Sequence, residues 1–215
     1  MWAISDLHIG EKNKKYDDFH ADKKLTEFLL SNPDKSLIGV GDIVELWQGD
    51  WRAIYESREE LFDLLFSKLL YWVLGNHDED IYKYRRHIPV EMCQYLILNS
   101  TIFLHGHQFD IFNSRYKSIG KAITQIAGKL ENIHPNIDHW LSTLQDKVTA
   151  VGRYGDKRDY AKNAAAFAHG MKVDDRVITH VIMGHTHKKE VLQRKDILYQ
   201  NSGTWIGEKQ DITQF

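Results

Sequence analysis

Five short polar clusters in this chain bring together the side chains that hold metal ions. They are Asp6-Leu7-His8, Gly41-Asp42, Gly75-Asn76-His77-Asp78, His105-Gly106-His107 and Gly184-His185-Thr186-His187. Together they offer carboxylates, imidazoles and one amide carbonyl. That mixture suits Mn, Fe or Zn better than Mg or Ca alone, because imidazole prefers the borderline metals. Taken singly, each cluster is bland: a Gly-Asp is often a turn, and an Asn-His pair arises by chance. What joins them is position, since each one follows a run of apolar residues.

Those runs are the elements that must position the clusters. Trp2-Ala3-Ile4 reads as a short buried strand. Leu25, Phe28 and Leu29 recur at helical spacing ahead of Asn32-Pro33. Ser36 to Val40 reads as a second strand. Ser57-Arg58-Glu59-Glu60 matches a capping box before Leu61, Leu64 and Leu65. Tyr71 to Leu74 reads as a third strand. The alternation predicts a layered α/β sheet, and in open α/β sheets ligands sit beyond the carboxyl ends of the strands. Further on, Leu96 to Leu98 and Thr101 to Leu104 flank Asn99-Ser100 as a hairpin.

From about 108 to 170 the pattern turns helical. Phe112, Tyr116, Ile119, Ile123, Ile126 and Leu130 form one stripe. Ile137, Trp140, Leu141, Leu144 and Val148 form a second, and Tyr160, Ala164, Phe167 and Met171 a third. We read this stretch as a helical cap inserted into a single domain spanning 1–215. Strands resume at Val177 to Met183. A hairpin follows, with Val191-Leu192 and Ile197 to Tyr199 around Arg194-Lys195-Asp196. Gly203 to Ile206 is expected to be the last strand.

Composition narrows the classes. A chain of 215 residues with 42% hydrophobic side chains can bury a sizeable core without disulfides. A net charge of -2 gives no electrostatic reason to expect a nucleic-acid partner. The single cysteine, Cys93, allows no intrachain disulfide and suits a reducing cytoplasm; it reads as a packing residue. No apolar run approaches the ~18 residues of a membrane span, although peripheral membrane contact stays open.

Read in order, the five clusters resemble the motif series of the calcineurin-like metallophosphoesterase superfamily: D-x-H, G-D, G-N-H-D, H-G-H and G-H-x-H. The match runs from Asp6 to His187. The resemblance implies a β-sandwich flanked by helices and a pair of divalent metal ions, Mn²⁺ first, with Fe or Zn as alternatives. It implies that Asp6, His8 and His187 hold one ion, that Asn76, His105 and His185 hold the other, and that Asp42 bridges them. It implies that His77 contacts the phosphate from outside the metal shell, and that Asp78 orients His77 through its ring. Two cations about 3.5–4 Å apart can clamp a phosphoryl group and share a hydroxide that attacks phosphorus. His77, when protonated, would stabilise charge on the phosphoryl oxygens and donate a proton to the leaving group. His107 is a possible outer partner of the metal ligands. His180 reads as packing, and His20, His87, His134, His139 and His169 as solvated surface.

The stretch Asp42-Ile43-Val44-Glu45-Leu46-Trp47, with Gly49-Asp50, resembles the G-D-x-x-[ED]-x-W signature of one branch of that superfamily. That branch includes the UDP-2,3-diacylglucosamine pyrophosphohydrolases of lipid A synthesis, which carry a helical lid at the same place. The chain departs from them in having G-N-H-D where they have G-N-R-D. Its insertion is also rich in Lys, Arg and aromatic residues. Arg115, Arg153 and Arg158, with Lys117 and Lys157, are candidates to meet substrate phosphates there. The expected activity is therefore hydrolysis of a phosphodiester or pyrophosphate, on a small phosphorylated, nucleotide or lipid-linked substrate. A non-catalytic scaffold with the same fold is the alternative class.

Overall fold

The computed structural model describes residues 1–15, 17–32, 34, 36–109, 159–169, 171–173, 176–207 and 209–215. Most of the expected helical cap, with Arg115, Arg153 and Arg158, lies outside the described residues.

Strand β1 (Trp2–Ile4) leads through helix α1 (Asp22–Ser31) to β2 (Leu37–Val40). Helices α2 (Trp51–Ser57) and α3 (Glu59–Lys68) precede β3 (Leu69–Val73). A 3-10 turn at Glu79–Tyr84 leads to β4 (Glu91–Cys93). These strands pair in parallel in the order 1-2-3-4, and β12 (Thr213–Gln214) closes the β1 edge in antiparallel fashion. The second sheet contains β5 (Tyr95–Leu98), β6 (Thr101–Leu104), β9 (His180–Met183), β10 (Glu190–Arg194) and β11 (Ile197–Asn201), in the order 10-11-9-6-5. Helix α4 (Tyr160–Ala168) and the short pair β7 (Lys172–Val173) and β8 (Arg176–Val177) lie between β6 and β9 in the chain.

Strand side chains alternate between faces, and the alternation sorts the core into layers. Ala3, Ile38, Val40 and Val73 from the first sheet meet Phe103 and Ile182 from the second, with Phe215 packed alongside. The opposite face of the first sheet, through Ile4, Leu37 and Trp72, packs on Leu25, Leu29, Phe62 and Leu65 of the helices. The outer face of the second sheet, through Ile102, Val181 and Tyr199, packs on Ala161, Ala164 and Ala168 of α4. The result is an α/β/β/α sandwich, as expected. Among the described residues no helix is long and apolar enough to cross a membrane.

Three local expectations are corrected. Ser57 is not a helix cap. It ends α2, and its hydroxyl donates to the Ile54 carbonyl, while α3 starts at Glu59 with no capping side chain. The seven-residue α2 is instead capped by Asp50, whose carboxylate accepts from Arg52 N and Ala53 N. The apolar run Val177 to Met183 is divided: β8 ends at Val177, and β9 starts only at His180, with Thr179 N and His180 N both donating to the Ser100 carbonyl. Gly203 to Ile206 is a loop, not the last strand. Gly203 has φ +83, Thr204 N donates to the Asp211 carboxylate, and Trp205 N donates to the Asp6 carbonyl. Those bonds tie this segment to Asp211 and to the chain just beyond β1 rather than to a sheet ladder.

Candidate metal centre

Beyond their last paired residues the strands continue as a bonded frame. Asp6 N donates to the Gly41 carbonyl, His8 N to Asp42 O and Ile9 N to Ile43 O, so the first two clusters lie side by side. Gly184 N donates to His105 O, which pairs the last two in the same way. The backbone there is unusual. Among the described residues eight non-glycine residues have positive φ, and five of them are Asp6, His8, Asp42, His185 and His187. Left-handed backbone costs a non-glycine residue about 1–3 kcal/mol and is retained where surrounding structure over-determines it. Here it aims consecutive polar side chains into one pocket.

The glycines of the motifs make room for the ligands. A Cβ on Gly75 would collide with the Asp42 carboxylate, and one on Gly184 would collide with Asp6 and Ser5. Gly41 combines φ +85 with contact against the His105 ring, so it meets both demands at once.

Seven residues expected as ligands meet in this pocket. Asp6, His8 and His187 form one group of donor atoms, and Asp42, His105 and His185 another. His187 Nε2 is 3.2 Å from Asp6 Oδ1 and 3.3 Å from His8 Nε2. His105 Nε2 is 3.0 Å from Asp42 Oδ2, and His8 Nε2 is 3.7 Å from the same oxygen. Donors held about 2.0–2.2 Å from one cation lie roughly 3–3.5 Å from each other, so these spacings fit a shared ion. Asn76 Oδ1 is buried without a hydrogen-bond partner, and the buried His105 Nε2 has only its ion-pair contact with Asp42 Oδ2. Buried polar atoms are rarely left without a partner, and a cation would satisfy Asn76 Oδ1.

The other ends of the ligands are held. His105 Nδ1 lies 3.0 Å from the Val40 carbonyl, to which it donates, leaving Nε2 as the electron-pair donor. His8 Nδ1 lies 3.1 Å from Glu45 Oε2, with the same effect. The Asp6 carboxylate accepts from His185 N and from the Ser5 hydroxyl, and Asp42 Oδ1 accepts from His77 N at 2.8 Å. Burial works against ionisation of Asp42, but His105 and His8 outweigh it and hold the carboxyl well below its usual range. Burial lowers the His105 pKa, and Asp42 more than reverses this, raising it to about 9.

The pair expected to act on the substrate is rearranged. Asp78 does not orient His77. Its carboxylate is fully buried and accepts from Ile43 N at 2.7 Å, Gly75 N at 2.6 Å and Trp72 Nε1 at 2.9 Å. It knots the second and third clusters together from behind. Burial and the nearby Asp42 charge push its carboxyl up to about 6, against the pull of those donors. The partner of the His77 ring is Glu45, whose Oε2 lies 2.6 Å from His77 Nδ1. Burial opposes the charge on Glu45, but bonds from His77 and His8 bring its carboxyl down to about 2. In return, despite burial, Glu45 and then Asp42 raise the His77 pKa.

Glu45 is the functional residue that the motif reading overlooked. Its signal was present as the acidic position of the G-D-x-x-[ED]-x-W pattern. His107, left open by its sequence position, stands with its ring 5.4 Å from that of His105, and its buried Nδ1 also has no partner. Burial, and next the neighbouring His105, lower its pKa to about 3, so it is neutral. His180 is half-buried against Gln200, and His20, His87 and His169 are exposed, as expected. Burial raises the Cys93 thiol to about 12, which leaves it unreactive.

A two-sheet sandwich that gathers imidazole, carboxylate and amide groups at its strand ends defines the class to which the chain belongs. The chain belongs to the calcineurin-like phosphoesterase family, whose profile matches residues 1–189. It is 30% identical over 132 residues to the UDP-2,3-diacylglucosamine hydrolase of Wigglesworthia glossinidia brevipalpis. That alignment covers 57% of this chain and 52% of the other, so the chain spans about half the length of the curated relative it matches. Among solved structures it is similar to Yfce, a phosphoesterase from E. coli, at 16% identity and a TM-score of 0.46, over 95% of this chain and 80% of that one. It is also similar to the phosphopantetheinyl hydrolase of Mycobacterium tuberculosis, at 17% identity and a TM-score of 0.44, over 94% and 89% of the two chains.

Proposed function

We propose that the protein hydrolyses phosphodiesters or pyrophosphates with two divalent metal ions, Mn²⁺ being the first choice. One observation carries the reading: the Asp42, His105 and His185 donor atoms lie close enough together to share a cation, and the Asn76 Oδ1 is buried with no hydrogen-bond partner. Asp6, His8 and His187 would hold one ion, Asn76, His105 and His185 the other, and Asp42 both. When bound, the ions supply positive charge against the phosphoryl oxygens and acidify the attacking water. Asp42 keeps its negative charge at neutral pH and is ready to serve two cations. His77, with Nδ1 committed to Glu45, has Nε2 left for the substrate. Its raised pKa favours the imidazolium, which can neutralise a phosphoryl oxygen and pass a proton to the leaving oxygen. Glu45 serves two rings at once, since Oε2 bonds both His8 and His77. It therefore orients a metal ligand and the acid together.

A second reading names the substrate. The W. glossinidia relative is a UDP-2,3-diacylglucosamine hydrolase, and the chain shares the G-D-x-x-[ED]-x-W pattern of that branch. Arg115, Arg153 and Arg158 would then meet the phosphates of a lipid-linked nucleotide. We place this activity in the cytoplasm, consistent with a lone cysteine that has no disulfide partner.

The test is turnover of bis-p-nitrophenyl phosphate, p-nitrophenyl phosphate and nucleotide pyrophosphates with added Mn²⁺, alongside metal analysis of two variants. Asp42→Ala should lose both activity and metal. His77→Ala should keep its metal and lose on the order of 10²-fold or more in kcat. A metal-loaded protein that turns over none of these esters would instead be a scaffold.

A further inference from the structure

A single hydrogen bond fixes one point of an imidazole ring but not its plane. The terminal torsion of a histidine is soft, so a ring held only at Nδ1 can swing about that contact. The geometry points to Trp47 as the positioning residue that fixes the plane of His77, an inference that rests on the hydrolase reading above.

Four contacts support it. The indole lies over the His77 ring with centroids 3.7 Å apart and planes 23° apart, a true stack. The indole Nε1–H donates to the Asn76 carbonyl at 2.8 Å, so Trp47 also grips the peptide that leads into His77. Trp47 N donates to Glu45 Oε1 at 3.1 Å, while Glu45 Oε2 takes His77 Nδ1. One carboxylate thus sets both the ring's edge and the start of the side chain that covers its face. His8 stands edge-on to His77, with centroids 4.6 Å apart and planes at 83°, which closes a second side. His77 is boxed by Glu45, Trp47 and His8, and the backbone of cluster three is held by the same indole.

Trp47 is 65% exposed. An indole left that open adds little to a hydrophobic core, so burial does not explain its place. Its contacts all converge on residues 76 and 77 and on their partner Glu45. Orientation acts on the rate because a proton donor off its line loses much of its effect on bond cleavage.

The test separates positioning from plain support. Wild type, Trp47→Ala, Trp47→Phe, His77→Ala and the Trp47→Ala/His77→Ala double variant are loaded with Mn²⁺. They are assayed on aryl phosphodiesters whose leaving groups run from dinitrophenol to phenol. A poor leaving group needs its proton and a good one does not. Trp47→Ala should lower kcat roughly 10–100-fold for the phenyl ester and markedly less for the dinitrophenyl ester, which needs no proton, with metal content preserved. Trp47→Phe keeps a flat face and should recover most of the rate. In the His77→Ala background, Trp47→Ala should add nothing further.

Proton NMR on the same proteins loaded with diamagnetic Zn²⁺ in place of Mn²⁺ supplies a readout that needs no turnover. In wild type the carbon-bound protons of the His77 ring should be shifted upfield by the indole ring current, and Trp47→Ala should abolish the shift. An equal loss for all leaving groups, an additive double variant, or unshifted His77 protons in wild type would each overturn the inference. A wild type that shows the shift but turns over no ester refutes the hydrolase reading and leaves the stack standing.

Discussion

Replacing Glu45 by Gln and, separately, Asp78 by Asn distinguishes the two carboxylates that a motif reading confuses. Glu45 Oε2 takes His77 Nδ1 at 2.6 Å and His8 Nδ1 at 3.1 Å, and Oε1 takes Trp47 N. A hydrogen bond to a charged group contributes about 1.5–3 kcal/mol, against about 0.5–1.5 for a neutral pair. Neutralising Glu45 therefore removes on the order of 1 kcal/mol from each of two imidazole contacts. The amide also turns an N–H toward either the Trp47 N–H or the histidines, so one donor meets another donor. Losses of this type behind metal ligands lower activity or metal affinity about 10–100-fold. Glu45→Gln should thus fold normally, bind metal more weakly and lose 10- to 100-fold in kcat/KM.

Asp78→Asn should behave in the opposite way. Its three donors are Ile43 N, Gly75 N and Trp72 Nε1, two backbone groups and a buried indole, and none of them is the His77 ring. An amide there satisfies at most part of the set, leaving a buried donor unpaired at a cost of about 1–3 kcal/mol. Removing a charge near Asp42 offsets part of this. For a chain of this length that is a fall in Tm of roughly 2–12 °C, with kcat of the folded enzyme little changed. The assays are thermal unfolding, Mn²⁺ titration and steady-state kinetics on one phosphodiester. An Asp78→Asn protein that is stable but inactive, beside a Glu45→Gln protein of normal rate, would refute the reasoning and return the ring-orienting role to Asp78.

Two further outcomes are expected. His105 is pulled up to about 9 by Asp42 although burial opposes it, so a proton must leave before Nε2 can take a metal. Mn²⁺ affinity, followed by calorimetry, should rise about tenfold per pH unit between pH 7 and 9 and then level off, since metal and proton compete for one lone pair. In chelator-treated protein the sign reverses: the Asp42–His105 pair contributes its full stability below about pH 6.5 and loses it as pH rises through about 9. Arg58 is buried, with Nη2 2.6 Å from Asp17 and Nε 2.8 Å from Asp22, and it also donates to the Gly10 and Phe19 carbonyls. Arg58→Ala leaves the buried Asp17 carboxylate without its partner, whereas Asp22 reaches solvent, and should cost roughly 3 kcal/mol in urea unfolding. Arg58→Lys should restore only part, because one ammonium cannot serve a planar fork.

The strands and the main helices of the first 80 residues were legible because apolar runs and 3.6-residue spacing report burial directly. Leu25 and Leu29 are buried on α1, and Ala3, Ile38 and Val73 face the second sheet. That Asp6, His8, Asp42, His105, His185 and His187 would converge was legible because each of their clusters follows a strand. Two kinds of feature were hidden. Helix α2 is seven residues long, too short for a periodic stripe, so Ser57 looked like the start of α3 when it is the end of α2. Gly203 to Ile206 has strand-like composition, and its loop form depends on Asp6 and Asp211, which are remote or not obviously paired in sequence.

The exchange of Glu45 for Asp78 shows where adjacency misleads. Asp78 follows His77 in the chain, and a neighbour with the right charge invites the role of orienting partner. Yet the chain turns at Gly75 to His77, and the next residue points back under the sheet, where three N–H groups wait. Glu45 is 32 residues away in sequence, but Leu46 N donates to the His77 carbonyl, which docks the two loops side by side. The length of the Glu side chain then lets one oxygen reach both His8 and His77. An Asp at 45 would be a methylene shorter and could not be expected to hold both contacts at 3.1 and 2.6 Å without moving the backbone. The joint hold of Glu45 on His8 and His77 therefore depends on loop docking, which residue type and spacing do not encode by themselves.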